Sequence, residues 1–165
     1  MQARMPKVVL ALLAGFIAIA VGSSIHAQAP KGLEGTWTLN AAKSKFNPGP
    51  PPKSMKVVYA PSGDTIKISV DVTWDGGESQ HWEMSGKYDG KDYPITGNPV
   101  ADTASFKRVD DHTGESTFKK DGKVTATNTR VLSKDGKTLT ITSKGTTADG
   151  KPRNDVQVFE KSSST

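Results

Sequence analysis

Three Asp-Gly pairs, at 121–122, 135–136 and 149–150, fall 14 residues apart, and each is followed by lysine. A carboxylate recurring at a fixed interval raises the question of cation binding first. Calcium takes about six to eight oxygen ligands, and an EF-hand loop supplies several acids before its glycine. Each loop here offers one Asp beside a Lys that repels a cation. The same pair suits a two-residue hairpin turn, because Asp and Gly both tolerate positive φ. The repeat is therefore read as turn chemistry, with no metal site.

Acid–base and nucleophilic chemistry are equally sparse. There is no cysteine, and the histidines are His26, His81 and His112. His81 is opposite in parity to Trp82 and is expected to face outward, while His112 sits in the turn VDDHTGE. A general base needs a nucleophile or an orienting acid within hydrogen-bond reach, and no such constellation is identifiable. No catalytic residue and no cofactor is assigned.

Arg130 is the charge that stands out. In VTATNTRVL it shares parity with Val124, Ala126, Asn128 and Leu132. If that face is internal, a guanidinium lies inside and needs a partner. A bound carboxylate or phosphate could serve through paired hydrogen bonds. The alternative is an Arg130 that points outward or stacks on Trp37. Gln157, Phe159, Trp82, Phe106, Tyr88 and Tyr93 complete the candidate ligand-binding set, with the aromatics lining a cavity or filling a core.

These residues must be positioned by strands. In TIKISVDVTW, Ile66, Ile68, Val70, Val72 and Trp74 alternate with polar residues, and Asp75-Gly76-Gly77 ends the run. Such alternation marks a half-buried strand. Further strands are expected at 35–39, 55–60, 78–85, 104–109, 116–120, 123–132, 138–146 and 155–161. NAAKSKF (40–46) is expected to form a turn or two of helix capped by Asn40, and 86–103 reads as a long irregular stretch or short hairpin. Turns 14 apart leave about ten residues per strand, longer than the usual five or six. In residues 28–165, Leu, Ile, Val and Phe number 22 of 138. So thin an apolar complement suggests few inward residues or a hollow interior. Strands this long fit an all-β barrel or a large sandwich, and of the two the predicted fold is an antiparallel up-and-down barrel of about eight to ten strands.

The N-terminus reads as an export leader. Arg4 and Lys7 precede the apolar run Val8–Val21, and small residues follow up to Ala27. The run is shorter than the ~20 residues a membrane-spanning helix needs. Residues 1–27 are assigned as signal peptide and 28–165 as one barrel domain, periplasmic or secreted. Removing the leader brings the net charge from +5 to +3, with no basic stripe, so nucleic acid is not expected as a partner. Strands rich in Thr and Lys lack the continuous apolar outer band of a membrane barrel, so stable membrane insertion is not expected.

The start GTW (35–37), the DGK–TRVL–DGKTLTIT run and the closing VQVFEK resemble the calycin superfamily of lipocalins and fatty-acid-binding proteins. The last forty residues resemble the C-terminal meander of a fatty-acid-binding protein. The resemblance implies a lipocalin-like barrel around a ligand, with Arg130 matching an arginine that holds a carboxylate. Where that family carries an Arg-x-Tyr, this chain has Gln157 and Phe159, and AKSKF and PGPPP replace its helical lid. The whole chain is also similar to small exported bacterial proteins with an AKSKF–PGP and a KYDGKDYP–TGNP segment. The expectation is non-catalytic binding of a small hydrophobic or amphipathic molecule. Its apolar part would lie among Trp82, Phe106 and Phe159, its head at Arg130 and Gln157, with Tyr88–Tyr93 as a rim. A protein-interaction or inhibitor module working through its loops is the second reading.

Overall fold

Alternation of apolar and polar residues becomes ten strands in the computed structural model, which describes residues 28–147 and 149–163. The leader assigned to 1–27 lies outside the described residues. The strands are β1 (Gly35–Leu39), β2 (Ser54–Ser62), β3 (Thr65–Thr73), β4 (Ser79–Gly86), β5 (Asp89–Thr96), β6 (Thr103–Arg108), β7 (Thr113–Lys120), β8 (Lys123–Leu132), β9 (Thr138–Thr146) and β10 (Pro152–Lys161). Each pairs antiparallel with its neighbours in the chain, and β1 pairs with β10, so the sheet is a closed up-and-down barrel. The antiparallel up-and-down barrel expected from the sequence is the one observed, at the upper end of the expected strand number.

The Asp-Gly repeat is the punctuation of this barrel. Asp121 and Gly122 have φ of 50° and 74°, positive at both central positions, as a primed hairpin turn requires. Because strands run up and down, successive connections lie at alternate ends. The turns at 121–122 and 149–150 share one end and that at 135–136 lies at the other, so they cannot gather around one ion.

Two local departures from the sequence reading have physical causes. The stretch 86–103, read as a long irregular stretch or short hairpin, contains β5. Its alternation is obscured by Pro94 and by a register shift between Asp89 and Asp92. In β8, Phe118 pairs with Ala126 and Lys119 with Val124, which leaves Thr125 as a bulge. An extra residue flips the parity beyond it. Val124 therefore faces solvent at 60% exposure rather than sharing the face of Arg130. The helical turn is a short 3₁₀ segment, Ala41–Lys43, with the Asn40 side chain accepting from the Lys43 N–H.

One end of the barrel is plugged. Trp37 is fully buried, its Nε1 donates to the Leu33 carbonyl at 2.9 Å, and it packs in one core with Leu139 and Phe159. The basic side chain on Trp37 is Lys161, not Arg130. Its Nζ lies 5.2 Å from the ring centroid and donates to the Gly32 carbonyl at 2.9 Å. This contact ties the C-terminal strand to the segment before β1.

Truncating the plug should destabilise the whole barrel. Trp37→Ala is expected to cost about 3–5 kcal/mol, as for other buried tryptophans, and Lys161→Met about 1 kcal/mol through loss of the cation–π contact and hydrogen bond. Urea unfolding followed by circular dichroism checks both, and equal midpoints for the two variants would contradict the assignment.

Candidate functional site

At the other end the interior is hollow. A cavity of about 480 Å³ runs into the barrel, within the range of about 300–1,000 Å³ typical of small-molecule sites. Its mouth is formed by Pro48–Pro50 and Pro52, between β1 and β2, and by Asn98–Ala101, between β5 and β6. Deeper, β2–β4 supply Val57, Ile68, Val70, Val72, Trp82 and Met84, while β8 and β10 supply Asn128, Arg130, Asp155 and Gln157. All are the inward members of alternating strands.

Arg130 is inside, only 3% exposed. Its terminal nitrogens donate to Ser116 Oγ at 3.0 Å, to the Tyr88 hydroxyl at 3.5 Å and to the Glu115 carbonyl at 3.4 Å. The guanidinium lies 5.8 Å from the centroid of the Phe106 ring, and Phe106 packs on Tyr88 at 5.7 Å. Gly114 sits directly opposite Arg130 in the sheet. A Cβ there would come within 3.3 Å of Tyr88 and 3.6 Å of the guanidinium, so the bare backbone leaves them room. Among the described residues, Arg108 and Arg153 form ion pairs with Asp111 and Asp155, and Arg130 forms none. Burial opposes its charge, but attraction and hydrogen bonds from Tyr88 and Tyr59 outweigh that and hold its pKa above the ordinary value. Its Nε remains buried without a hydrogen-bond partner, as does Asn128 Oδ1.

Nearer the mouth, Asp155 is buried. One carboxylate oxygen accepts the Asn47 N–H at 3.0 Å. The other lies 3.0 Å from Arg153 Nε in an ion pair too bent to be a hydrogen bond. Arg153 also donates to Ser143 Oγ at 3.1 Å.

Of the seven residues singled out from the sequence, Arg130, Gln157 and Trp82 line the cavity. The ring of Trp82 meets Phe118 edge-on at 6.1 Å. Phe106 and Tyr88 are buried beneath Arg130 and reach the site only through it. Phe159 belongs to the plugged end. Tyr93 is not at the rim. Its ring covers Gly86, where a Cβ would lie 2.7 Å from it, and its hydroxyl donates to Asp89 at 3.0 Å. The segment Tyr88–Tyr93 follows the β4–β5 turn, opposite the mouth, so it cannot gate the cavity. Asn128, which shares the face of Arg130 in the sequence, lines the cavity with it, whereas Asp155, Tyr59, Phe118 and the mouth prolines are not among the sequence candidates. Asp155 shares parity with Gln157, and that signal could have found it.

His81 faces outward as expected, with Nδ1 2.7 Å from Asp71 and Nε2 3.5 Å from Glu83. The Asp71 hydrogen bond raises its pKa. His112 is exposed in its turn.

No family model and no curated protein matches the chain. Among solved structures, a redesigned β-barrel, mFAP1, bound to DFHBI, is similar at 15% identity and a TM-score of 0.44, covering 81% of this chain and 99% of its own. The siderocalin Ex-FABP, described as functioning through dual ligand specificities, is similar at 13% identity and a TM-score of 0.35, covering 81% of this chain and 76% of its own.

Tyr59 supplies a pH prediction. Burial, partly offset by Arg130, raises its pKa from 10.0 to about 12, so the neutral hydroxyl is favoured in the folded state. The stability this confers is complete below pH 10 and is lost as pH rises toward 12. Two pKa units correspond to about 3 kcal/mol. Tyr59→Phe should therefore flatten the fall in urea stability between pH 10 and 12, and parallel profiles for the two proteins would refute the assignment.

Proposed function

We propose that the barrel binds a small amphipathic molecule with an anionic head, without catalysis, in the periplasm or outside the cell. The observation that carries this reading is a buried guanidinium at the base of an open lumen with no carboxylate of its own. A charge removed from water is costly unless paired. The tyrosine and serine hydroxyls satisfy its hydrogen bonds only in part, and a ligand carboxylate or phosphate would supply the missing charge. Trp82, Met84, Ile68 and Val70 would take the apolar body.

The second reading, a loop-mediated protein partner, gains most from an exposed patch of Tyr88, Tyr93 and Ile95. Tyr88 and Ile95 are buried, which favours the lumen instead. Export rests on the leader-like residues 1–27. On the outer wall, Lys56 and His81 pair with Asp71, and Lys67 with Glu83, a charged face unsuited to lipid. Among the described residues no helix is long and apolar enough to cross a membrane.

The test is native mass spectrometry of residues 28–165 isolated from the envelope of the host cell, with solvent extraction of any bound mass. A reproducible extra mass, lost in Arg130→Ala with the barrel still folded by circular dichroism, is the expected result. With dodecanoate as probe and tryptophan fluorescence as readout, Arg130→Ala should weaken binding about 10- to 100-fold, the range for a lost charged hydrogen bond. An unliganded wild type that also ignores dodecanoate and envelope lipid extract would move the function to the loops.

A further inference from the structure

The polar groups of the lumen are not gathered at one end. They run along one wall. In the sheet, Asp155 pairs with Ser143 and Ser143 with Asn128, forming one rung across β10, β9 and β8. The next rung toward the plug is Gln157, Ile141 and Arg130. The wall opposite, from β2 to β4, offers mainly Val, Ile, Met and Trp side chains. A head-and-tail ligand needs one polar pole, whereas this lumen has a polar side and an apolar side.

The two rungs also differ in kind. The deeper one presents the Arg130 guanidinium, which only donates, and the Gln157 amide, which can donate or accept. The shallower one presents the Asp155 carboxylate, which only accepts, and the Asn128 amide, whose Oδ1 is buried without a hydrogen-bond partner. Residues two apart on a strand are about 7 Å apart, roughly five or six carbon–carbon bonds.

Resting on the ligand-binding reading above, we infer that the preferred ligand is a hydroxylated amphipathic acid with its polar groups along one edge. The carboxylate enters first, to Arg130 and Gln157. A hydroxyl about five or six bonds along the same edge donates to the Asn128 and Asp155 rung, and the hydrocarbon faces β2–β4. Asn128 is then a specificity determinant. A site with an unmet acceptor discriminates against an analogue lacking the donor, because the buried oxygen stays unpaired.

The experiment compares dodecanoate with hydroxydodecanoates bearing the hydroxyl beside the carboxylate, in mid-chain, or at the far end. Binding to the wild type is read by tryptophan fluorescence and confirmed by native mass spectrometry. The mid-chain hydroxy acid is expected to bind at least about fivefold more tightly than dodecanoate, equivalent to one net hydrogen bond. Asn128→Leu should abolish that preference, bringing the mid-chain hydroxy acid and dodecanoate to within about twofold of each other. If all the acids bind the wild type equally, or dodecanoate binds best, the polar-wall inference is overturned and the ligand-binding reading stands. If none binds, both fall. The wild-type series decides the matter even should Asn128→Leu fail to fold.

Discussion

Closure of the sheet is the constraint on which everything else depends. The seam is short, since β1 and β10 share only the pairs Trp37–Lys161, Thr38–Glu160 and Leu39–Phe159. It is prolonged by the segment after β1, where Asn40 N–H donates to the Val158 carbonyl and Lys45 bridges Val156. The Asn47 N–H then reaches the Asp155 carboxylate. Buried Asp155 thus belongs both to the seam and to the lumen. Closing the sheet removes its edges, which would otherwise invite pairing with other chains. It also fixes the interior width, and ten strands enclose more room than this chain's side chains fill.

That surplus room is distributed unevenly. At one end Trp37, Leu139 and Phe159 close the barrel, with Lys161 clamped over the tryptophan. At the other, prolines and a short loop leave the mouth open. Arg130 stands where the packed end meets the hollow one. Below it are Phe106 and Tyr88, above it the cavity. A guanidinium is stable there because hydroxyls and an aromatic face surround it, yet its Nε is left over. Such incomplete satisfaction is unusual in a core and ordinary in a binding site, where local rules are broken for function.

The outside of the barrel follows a different logic. Its Lys, Asp, His and Glu side chains pair across neighbouring strands in water, where each ion pair contributes little to stability. Their value is to keep the wall polar, so that apolar residues turn inward and a one-residue slip of register is opposed.

Much of this was legible in the sequence. Period-two alternation names the inward residues of a strand, and Asp-Gly names the turns, because both are local consequences of backbone geometry. Thus β3, β8 and β9 could be placed nearly residue by residue, and Arg130 could be grouped with Asn128 on one face, while parity alone left open whether that face is internal. Parity fails where the backbone is irregular, as Pro94 hid β5 and the Thr125 bulge turned Val124 outward. It is also silent about height along the barrel axis. Phe159, Phe106 and Tyr88 are as inward as Trp82, but only the stacking of ten strands puts them in or near the plug and Trp82 in the cavity. Tertiary structure likewise chose Lys161 over Arg130 as the partner of Trp37, because that choice depends on which chain end meets the first strand. Local chemistry determined which side of the sheet each residue faces, and closure of the barrel decided at what depth it lies and what it touches.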